Sequence, residues 1–491
     1  MKIKLTAFIF LITSTISYSQ TNSLDKTSSA RTGINPNPKI LADLDDDGMD
    51  DTWETNYGLN PNDEKDAWAD LDNDKVLNIY EYHLKSNPLN PSSPSKINVP
   101  LGSNIANVIN LATAGQVLRI QGGAYDVNYS GNFKGVMIEG GWNSSFTSRD
   151  LMNAPTIFNG KNLNLIMNFN SATGVVGYVS AIIDGVQFTK GRAQYGPALF
   201  LSISGSGEHN FFLKDCKIDS CIASALSGGA ITSSLSQTGI LNLFVVKTAI
   251  VNDSASGISC ISSNNIGVDS RIRIINSTIS GNANFDLDKG FGVYGANVSL
   301  GGIKLDVVNS IIWGNQKAAI KFEETGNGSL AITSKHSDIN LVTTLSGATY
   351  SAGVGVINSN PLFVSPSASN FYLLSGSPCI NTGIDVGLPF LGTAPDMGAY
   401  EISSTGISEN NNNTAITIAP NPFNSQAIIT FNQKFDNATL KIVDLLGREV
   451  KSIHVTGNNA IIEKENIPVG VYFVQIITDK GIEAIEKIVI Q

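Results

Sequence analysis

The stretch Asn276-Ser277-Thr278-Ile279-Ser280-Gly281-Asn282 recurs 33 residues later as Asn309-Ser310-Ile311-Ile312-Trp313-Gly314-Asn315. Looser copies start at Asp184, Asp215 and Lys247, so successive starts lie 31, 32, 29 and 33 residues apart. Each unit combines β-branched residues with turn-forming residues, which is typical of short strands joined by tight turns. The near-constant period of about 30 residues predicts a β-solenoid with one coil per repeat.

Stacked coils bring equivalent residues of successive repeats next to one another. Each coil is expected to bury Ile, Val, Leu and Phe inward and to pair its strands with those of the preceding coil. Side chains at equivalent positions then form ladders, and the repeat predicts one in which Asn276 stacks on Asn309. The sequence therefore predicts a mainly-β protein with a parallel solenoid over residues 97–402.

The same region carries two further sets of motifs. Gly140-Gly141-Trp142-Asn143 is followed by Ser148-Arg149-Asp150. The closing stretch contains Asn360-Pro361-Leu362-Phe363, then Leu374-Ser375-Gly376-Ser377-Pro378-Cys379-Ile380-Asn381, then Asp396-Met397-Gly398-Ala399-Tyr400-Glu401. In these pieces the region resembles the right-handed parallel β-helix proteins of bacterial surfaces. The resemblance implies that fold, with Cys379 as a buried thiol where the family has a small residue.

The charge of the chain is concentrated in one short stretch. Only 15% of the residues are charged, and the formal net charge is -10. Between Asp43 and Glu81 there are 14 acidic residues against two basic ones, a net -12, so the rest of the chain sums to +2. A nucleic-acid-binding protein would need a basic stripe, which this distribution does not offer.

The N-terminus has the pattern of an export signal. Lys2 and Lys4 accompany the apolar run from Leu5 to Ile16, and Ser17-Tyr18-Ser19 offers a small-x-small cleavage site. We predict a signal peptide at 1–19 and a flexible leader at 20–40, with an N-terminal anchor helix as the alternative. No later stretch is long and apolar enough to cross a bilayer, so we expect no transmembrane span.

Export permits disulfides, and the chain has four cysteines, Cys216, Cys221, Cys260 and Cys379. Four cysteines allow three pairings, and their spacing matches neither a zinc site nor a dense disulfide framework. The sequence is compatible with a bridge and equally with small, buried, unbridged side chains.

The twelve residues from Asp43 to Glu54 carry the sharpest chemical signal. They fit the calcium loop D-x-[DN]-x-[DN]-G-x5-E without a mismatch. Carboxylates supply hard oxygen ligands, Gly48 permits the sharp turn, and the glutamate at the twelfth position binds through both oxygens. The predicted calcium ligands are Asp43, Asp45, Asp47, the carbonyl of Met49, Asp51 directly or through water, and Glu54.

A second loop starts 27 residues after the first. Lys75 replaces its turn glycine and must adopt a positive φ or distort the loop, so we predict a weaker second site. Crowded carboxylates repel one another without a cation, so binding and local folding should be coupled. The predicted ligands are Asp70, Asp72, Asp74, the carbonyl of Val76, Asn78 and Glu81.

The acidic module is predicted to span residues 41–91. An acidic disordered segment is the alternative, but the aromatic and aliphatic residues between the ligands provide a small core. Tyr57-Gly58-Leu59-Asn60-Pro61, and Glu81-Tyr82 followed by Asn87-Pro88, resemble the tail of thrombospondin type 3-like or dockerin-like calcium repeats. The resemblance implies that each loop precedes a short helix. Dockerins bind cohesins, but the loops alone do not establish such a partner.

Residues 403–414 form a predicted linker, and residues 415–491 a predicted antiparallel β-sandwich. Four motifs follow in order: Pro420-Asn421-Pro422, Asp444-Leu445-Leu446-Gly447-Arg448-Glu449-Val450, Gly470-Val471-Tyr472-Phe473-Val474 and Lys487-Ile488-Val489-Ile490. In these the tail resembles the C-terminal sorting domain of the type IX secretion system; an accessory β-domain is the alternative. The resemblance implies the type IX machinery as a partner, and export through the periplasm to the outer surface or the medium.

Catalytic signals in the sequence are sparse. The four histidines lie in different modules, and no metalloprotease, P-loop or nucleophile-elbow pattern is present. We predict a non-catalytic scaffold for recognition of, or adhesion to, polysaccharide or a cell surface. Trp142, Tyr195 and Trp313 are candidates for stacking on sugar rings, and a turn or core position is the equal alternative for each.

A calcium-dependent polysaccharide lyase or glycosidase is the alternative function, because the β-helix fold hosts several. Such chemistry needs clustered carboxylates, or calcium with a basic residue. Asp184 and Asp215 could stack on neighbouring coils, with Arg192, Arg271 and Arg273 elsewhere on the solenoid. No catalytic residue is assigned, since a fold does not by itself imply an activity.

Overall fold

The computed structural model describes residues 42–171, 178–204, 206–225, 228–264, 269–284, 290–324, 326, 328–345, 347–402, 416–444, 448–478 and 481–491. The predicted signal peptide (1–19), leader (20–40) and linker (403–414) lie outside these residues. So do Leu445, Leu446 and Gly447 of the tail motif.

Residues 95–352 form a parallel β-solenoid with three faces. The first face consists of Ser95–Val99, Gln116–Gln121, Val136–Trp142, Tyr178–Asp184, Ser206–Lys214, the end of Gly229–Val246, Ser270–Ile275, Ile303–Val308, Leu330–Lys335 and Ala348–Ala352. The second face consists of Gly123–Asp126, Thr156–Asn159, Val186–Thr189, Lys217–Asp219, Ala249–Val251, Thr278–Ser280, Ile311–Trp313 and Asp338–Ile339. The third face consists of Tyr129–Asn132, Met167–Asn170, Leu199–Ile203, the start of Gly229–Val246, Ser256–Asn264, Val293–Asn297, Ile320–Glu324 and Val342–Leu345. A short parallel pair, Arg192–Ala193 with Ile222–Ala223, lies beside them.

The solenoid encloses one apolar core. Ile183, Leu213, Val245, Ile274 and Val307 are paired in register on the first face, and each is fully buried. Burying a side chain of this size is worth about 1.5–3 kcal/mol. The repeat period therefore equals one coil, with equivalent inward positions stacked in successive coils, and the predicted mainly-β class with a parallel solenoid is confirmed.

A left-handed backbone position directly follows the first-face strands that end at Lys214, Val246, Ile275, Val308 and Lys335, and it starts the turn to the second face. This position has φ values between 44° and 49° and is occupied by Asp215, Lys247, Asn276, Asn309 and His336. The predicted start at Asp184 is wrong by one residue. Asp184 pairs with Lys214, and Gly185, with φ 73°, takes the turn position.

Polar ladders follow this turn. The amide of Asn309 donates to Oδ1 of Asn276 over 3.1 Å, so the predicted asparagine ladder is confirmed. The next position is a hydroxyl ladder, in which backbone N–H groups donate to the side chain one coil further on. It runs through Cys216, Thr248, Ser277, Ser310 and Ser337.

Cys216, Cys221 and Cys260 belong to this interior, whereas Cys379 lies in the C-terminal segment and packs with Ile311 and Met397. Cys221 starts another ladder, in which its N–H donates to Asp253 over 2.7 Å. All four cysteines are buried and unbridged, so the alternative of small, buried side chains is confirmed.

Two short helices follow the two acidic loops, at Asp51–Tyr57 and Asn78–Leu84, with a 3-10 turn at Asp66–Trp68 between them. The Asp50 carboxylate caps the first helix by accepting from the Trp53 N–H over 3.1 Å. A third helix, Ile105–Leu111, contributes Ile105 and Ile109 to the solenoid core.

The chain after the last coil has two parts. Phe363–Ser365 and Asn370–Leu373 form an antiparallel pair around a 3-10 turn at Pro366–Ala368, and the segment to Ile402 packs along the solenoid. The tail is a five-stranded antiparallel sheet with its own core, formed by Ile416–Ala419, Gln426–Val443, Glu449–Glu463, Gly470–Thr478 and Gly481–Ile490.

Candidate metal centre

Backbone amides fold the first acidic loop around its own carboxylates. The two oxygens of Asp43 accept hydrogen bonds from the N–H groups of Asp47, over 3.0 Å, and Gly48, over 3.1 Å. Gly48 has a φ of 103°, in the region that favours glycine. This turn directs successive carboxylates toward one point.

Five carboxylates gather at the first loop. Oxygens of Asp43, Asp45 and Asp47 lie within 4.8 Å of one another, and so do oxygens of Asp47, Glu54 and Asp66. Both oxygens of Glu54 are buried without a hydrogen-bond partner, as is one oxygen each of Asp45, Asp47 and Asp66. Buried carboxylates without partners are costly, so this arrangement calls for a positive charge.

The electrostatics of the first loop agree with its geometry. Burial, together with the repulsion of neighbouring carboxylates, raises the pKa of Asp47 and that of Glu54 to about 8 each. A divalent cation held between these oxygens would offset both the cost of burying their charges and their mutual repulsion.

Asp66 is a member of this cluster that the sequence did not predict. It lies in the 3-10 turn Asp66–Trp68, outside the twelve-residue motif, and its second oxygen accepts from the N–H of Asn60 over 2.7 Å. The only sequence signal was one more aspartate in an acidic stretch, because the fold back toward Glu54 is a tertiary feature.

Two residues predicted as ligands of the first loop, Met49 through its carbonyl and Asp51, also form hydrogen bonds within the loop. The Met49 N–H donates to Asp47 over 2.7 Å, and the Met49 side chain is buried in the module core. The Asp51 carboxylate accepts from the Leu44 N–H over 2.8 Å and is not part of either carboxylate group at this loop. Asp51 thus closes the loop by hydrogen bonding.

The second loop repeats this architecture with different surroundings. Asp70, Asp72 and Asp74 have oxygens within 4.8 Å of one another, and Lys75 adopts a φ of 78°, as predicted for a lysine at the glycine position. The Nζ of Lys96, from the first solenoid strand, lies 2.6 Å from Oδ2 of Asp74. A protein cation therefore already touches this cluster.

The remaining residues predicted as ligands of the second loop form hydrogen bonds within the loop or beside it. The Val76 N–H donates to Asp74 over 2.8 Å. Asn78 accepts from the Leu71 N–H over 3.2 Å and donates to the Asp66 carbonyl over 2.8 Å. Glu81 is fully buried, with one oxygen accepting from Ser86 and the other unpaired, and burial raises its pKa to about 8.

The module packs on the outer side of the first face. Its apolar side chains share one core cluster with an outward ladder of the solenoid. The outward ladder consists of Val117, Met137, Ile182, Phe212 and Phe244. The module contributes Met49, Trp68, Val76, Ile79, Tyr80, Tyr82 and Leu84.

An ion-pair network continues this contact. The carboxylate of Asp46, between two predicted ligands, contacts Arg271 and lies 2.7 Å from Arg273. Arg271 also pairs with Asp306 over 2.5 Å. A cavity of about 380 Å³ adjoins these groups and the first loop.

The structure also locates the other residues considered for sugar binding or catalysis. Trp142 is 1% exposed beneath the guanidinium of Arg119, which excludes sugar stacking and agrees with the alternative of a core residue. Asp184 is buried between Arg149, over 2.6 Å, and Lys214, over 3.3 Å, and these cations keep its pKa low. It therefore belongs to a buried ionic network.

Comparisons with protein-family models and with solved structures both gave matches. Residues 417–491 match the family model described as the secretion system C-terminal sorting domain. A solved structure described as the crystal structure of pectate lyase Pel9A shares 16% identity, with a TM-score of 0.36, over 63% of this chain and 97% of that chain. This likeness concerns the fold alone. No curated protein matches the chain.

The sorting domain indicates how the protein is handled in the cell. It implies recognition by the type IX secretion machinery and export to the cell surface or the extracellular space. Among the described residues, no helix combines the length and apolarity needed to cross a membrane.

Proposed function

We propose that this exported β-helix protein binds calcium at both acidic loops and serves as a non-catalytic scaffold for recognition of polysaccharide or a cell surface. The observation that carries the calcium assignment is Glu54, fully buried with both oxygens unpaired beside Asp47 and Asp66. Several carboxylates, one of them able to bind through both oxygens, suit the six to eight oxygen ligands of calcium better than the strict octahedron of magnesium.

The role proposed for the first calcium ion is structural. Asp45 and Asp47 would hold the ion, and Asp46 between them reaches Arg271 and Arg273 on the solenoid. An ion that fixes the loop therefore also fixes the ion pairs that attach the module to the first face. Calcium binding and docking of the module should be thermodynamically coupled.

Titration of the full chain with calcium tests this proposal. The full chain is needed because the module shares its apolar core with the solenoid. Calorimetry should show two binding events, the tighter at the first loop. Asp45→Ala combined with Glu54→Ala should abolish the tighter event, while Asp126→Ala, at an exposed solenoid carboxylate, should leave both unchanged. Absence of heat and of structural change in millimolar calcium would contradict the assignment.

The non-catalytic role rests on the state of the basic residues beside the first loop. Arg271 and Arg273 are held by Asp46 and Asp306, and the module covers the adjoining part of the first face. A lyase needs a base that can reach the substrate proton. Because both arginines are held in ion pairs, their geometry favours a scaffold over an enzyme.

The alternative of a calcium-dependent lyase draws on one observation, the cavity that Lys335 and the first loop line together. An activity and binding screen against pectins, alginates and neutral polysaccharides separates the two functions. Binding without turnover is expected. Appearance of unsaturated products that absorb in the ultraviolet would establish the lyase instead.

A further inference from the structure

A groove lies beside the turn between the first and second faces, apart from the cavity at the first loop. It has a volume of about 470 Å³, within the usual range for small-ligand sites. Its solenoid side includes Gln187 and Lys217, which are paired in register on adjacent coils. Its other side is the C-terminal segment, with Asn370, Tyr372 and Tyr400. We call this the tyrosine groove.

An aromatic pair forms part of the groove wall. The rings of Tyr372 and Tyr400 are stacked, with centroids 4.5 Å apart and an interplanar angle of 21°. Both side chains are partly exposed. Flat, partly exposed aromatic rings provide an apolar platform bordered by hydroxyl groups.

The ionisable side chains in the groove cancel in charge. Lys217 and Lys247 are balanced by Asp215 and Glu401. Lys217 is also paired with Asp219 over 3.0 Å, and Asp215 with Lys214. A neutral groove with many fixed donors and acceptors gives an anionic polymer no electrostatic advantage.

These properties match one ligand chemistry. A pyranose ring has apolar C–H faces that stack on aromatic rings, and hydroxyl groups that both donate and accept hydrogen bonds. Adjacent coils are spaced by roughly 4.8 Å, the strand spacing of a β-sheet, which is close to the length of one hexose unit in an extended chain. We infer that the tyrosine groove binds a neutral hexose polysaccharide. This inference rests on the proposed recognition function and names its site and ligand class.

Binding of the full chain to cellohexaose, mannohexaose and polygalacturonate tests the inference by calorimetry. At least one neutral hexasaccharide should bind, and polygalacturonate should bind more weakly. Tyr372→Ala should weaken neutral binding about tenfold, since a stacking platform is lost. Neutral binding should be retained by Tyr372→Phe, which keeps the ring, and by Tyr350→Ala, which alters an exposed tyrosine on the first face. Circular dichroism checks that each variant is folded.

Two outcomes would overturn the inference in different ways. Neutral binding that is unaffected by Tyr372→Ala would exclude the tyrosine groove and leave the recognition function intact. Stronger binding of polygalacturonate, or no binding of any of the three glycans, would remove the neutral ligand class, and the latter would also count against polysaccharide recognition itself.

Discussion

The two acidic loops share one sequence motif and differ in the residues that surround them. The first loop has five buried carboxylate oxygens without a hydrogen-bond partner, counting that of Asp66, and the second has two. The fold brings an additional carboxylate, Asp66, to the first loop and a lysine, Lys96, to the second. Residues outside the twelve-residue motif therefore determine how much unpaired negative charge a bound cation would compensate.

The largest expected effect compares the twelfth position of the two loops. Glu54→Gln should weaken calcium binding at the first loop roughly 100-fold, or about 2.7 kcal/mol, because both unpaired oxygens and a charge are altered. Glu81→Gln should cost the second loop less, since Ser86 already occupies one of its oxygens. Calorimetric titration of both variants measures the difference. Equal losses would show that the loops do not differ at this position.

The next effect concerns the helix after the second loop, which carries a buried histidine. His83 contacts Ser180 over 3.1 Å and packs on Phe212, and burial lowers its pKa from 6.5 to about 3. Between pH 6.5 and pH 3 the unfolded state therefore binds a proton that the folded state does not bind. The contribution of neutral His83 to the free energy of unfolding is present above pH 6.5 and is lost as the pH falls below that value.

Urea unfolding followed by tryptophan fluorescence, in saturating calcium, measures this contribution. The loss should be about 1.4 kcal/mol per pH unit, or about 2 kcal/mol between pH 6.5 and pH 5. His83→Leu, which cannot take up a proton, should lack this component. Identical pH profiles for the two proteins would show that His83 is not the responsible group.

A smaller effect is expected at the lysine that enters the second loop. Lys96→Met should raise calcium affinity there roughly tenfold, because it frees the Asp74 carboxylate and removes a competing charge. The first loop should not respond, which makes it the internal control. Competition with a fluorescent chelator resolves the two sites, and an unchanged second site would mean that Lys96 does not compete with the ion.

The smallest effect is expected at the turn position. Lys75→Gly relieves a positive φ in the second loop but removes the contact of the Lys75 ammonium with the Trp142 ring, 5.6 Å from its centroid. The two terms nearly offset each other, so affinity should rise only two- to threefold, roughly. The reverse change, Gly48→Lys, should weaken the first loop, because its φ of 103° is one that L side chains rarely adopt and an added Cβ would also lie 3.2 Å from Phe244. Equal responses of the two loops would contradict the comparison.

The attachment of the module to the solenoid had a partial signal in the sequence. Along the first face, strands such as Phe211-Phe212-Leu213 and Leu243-Phe244-Val245 are apolar on both sides, which is typical of a sheet covered on both faces. That signal shows that something covers the outer side, but not which segment does so.

The sequence by itself determined the solenoid, the asparagine ladder, the two acidic loops and the sorting tail. These are local or strictly repeated patterns, so the spacing of residues along the chain is enough to define them. Only the tertiary structure decided which segments meet across the fold. Asp46 and Arg271 are 225 residues apart, yet they form an ion pair. Their meeting depends on how one apolar surface covers another, a property of packing that has no period in the sequence.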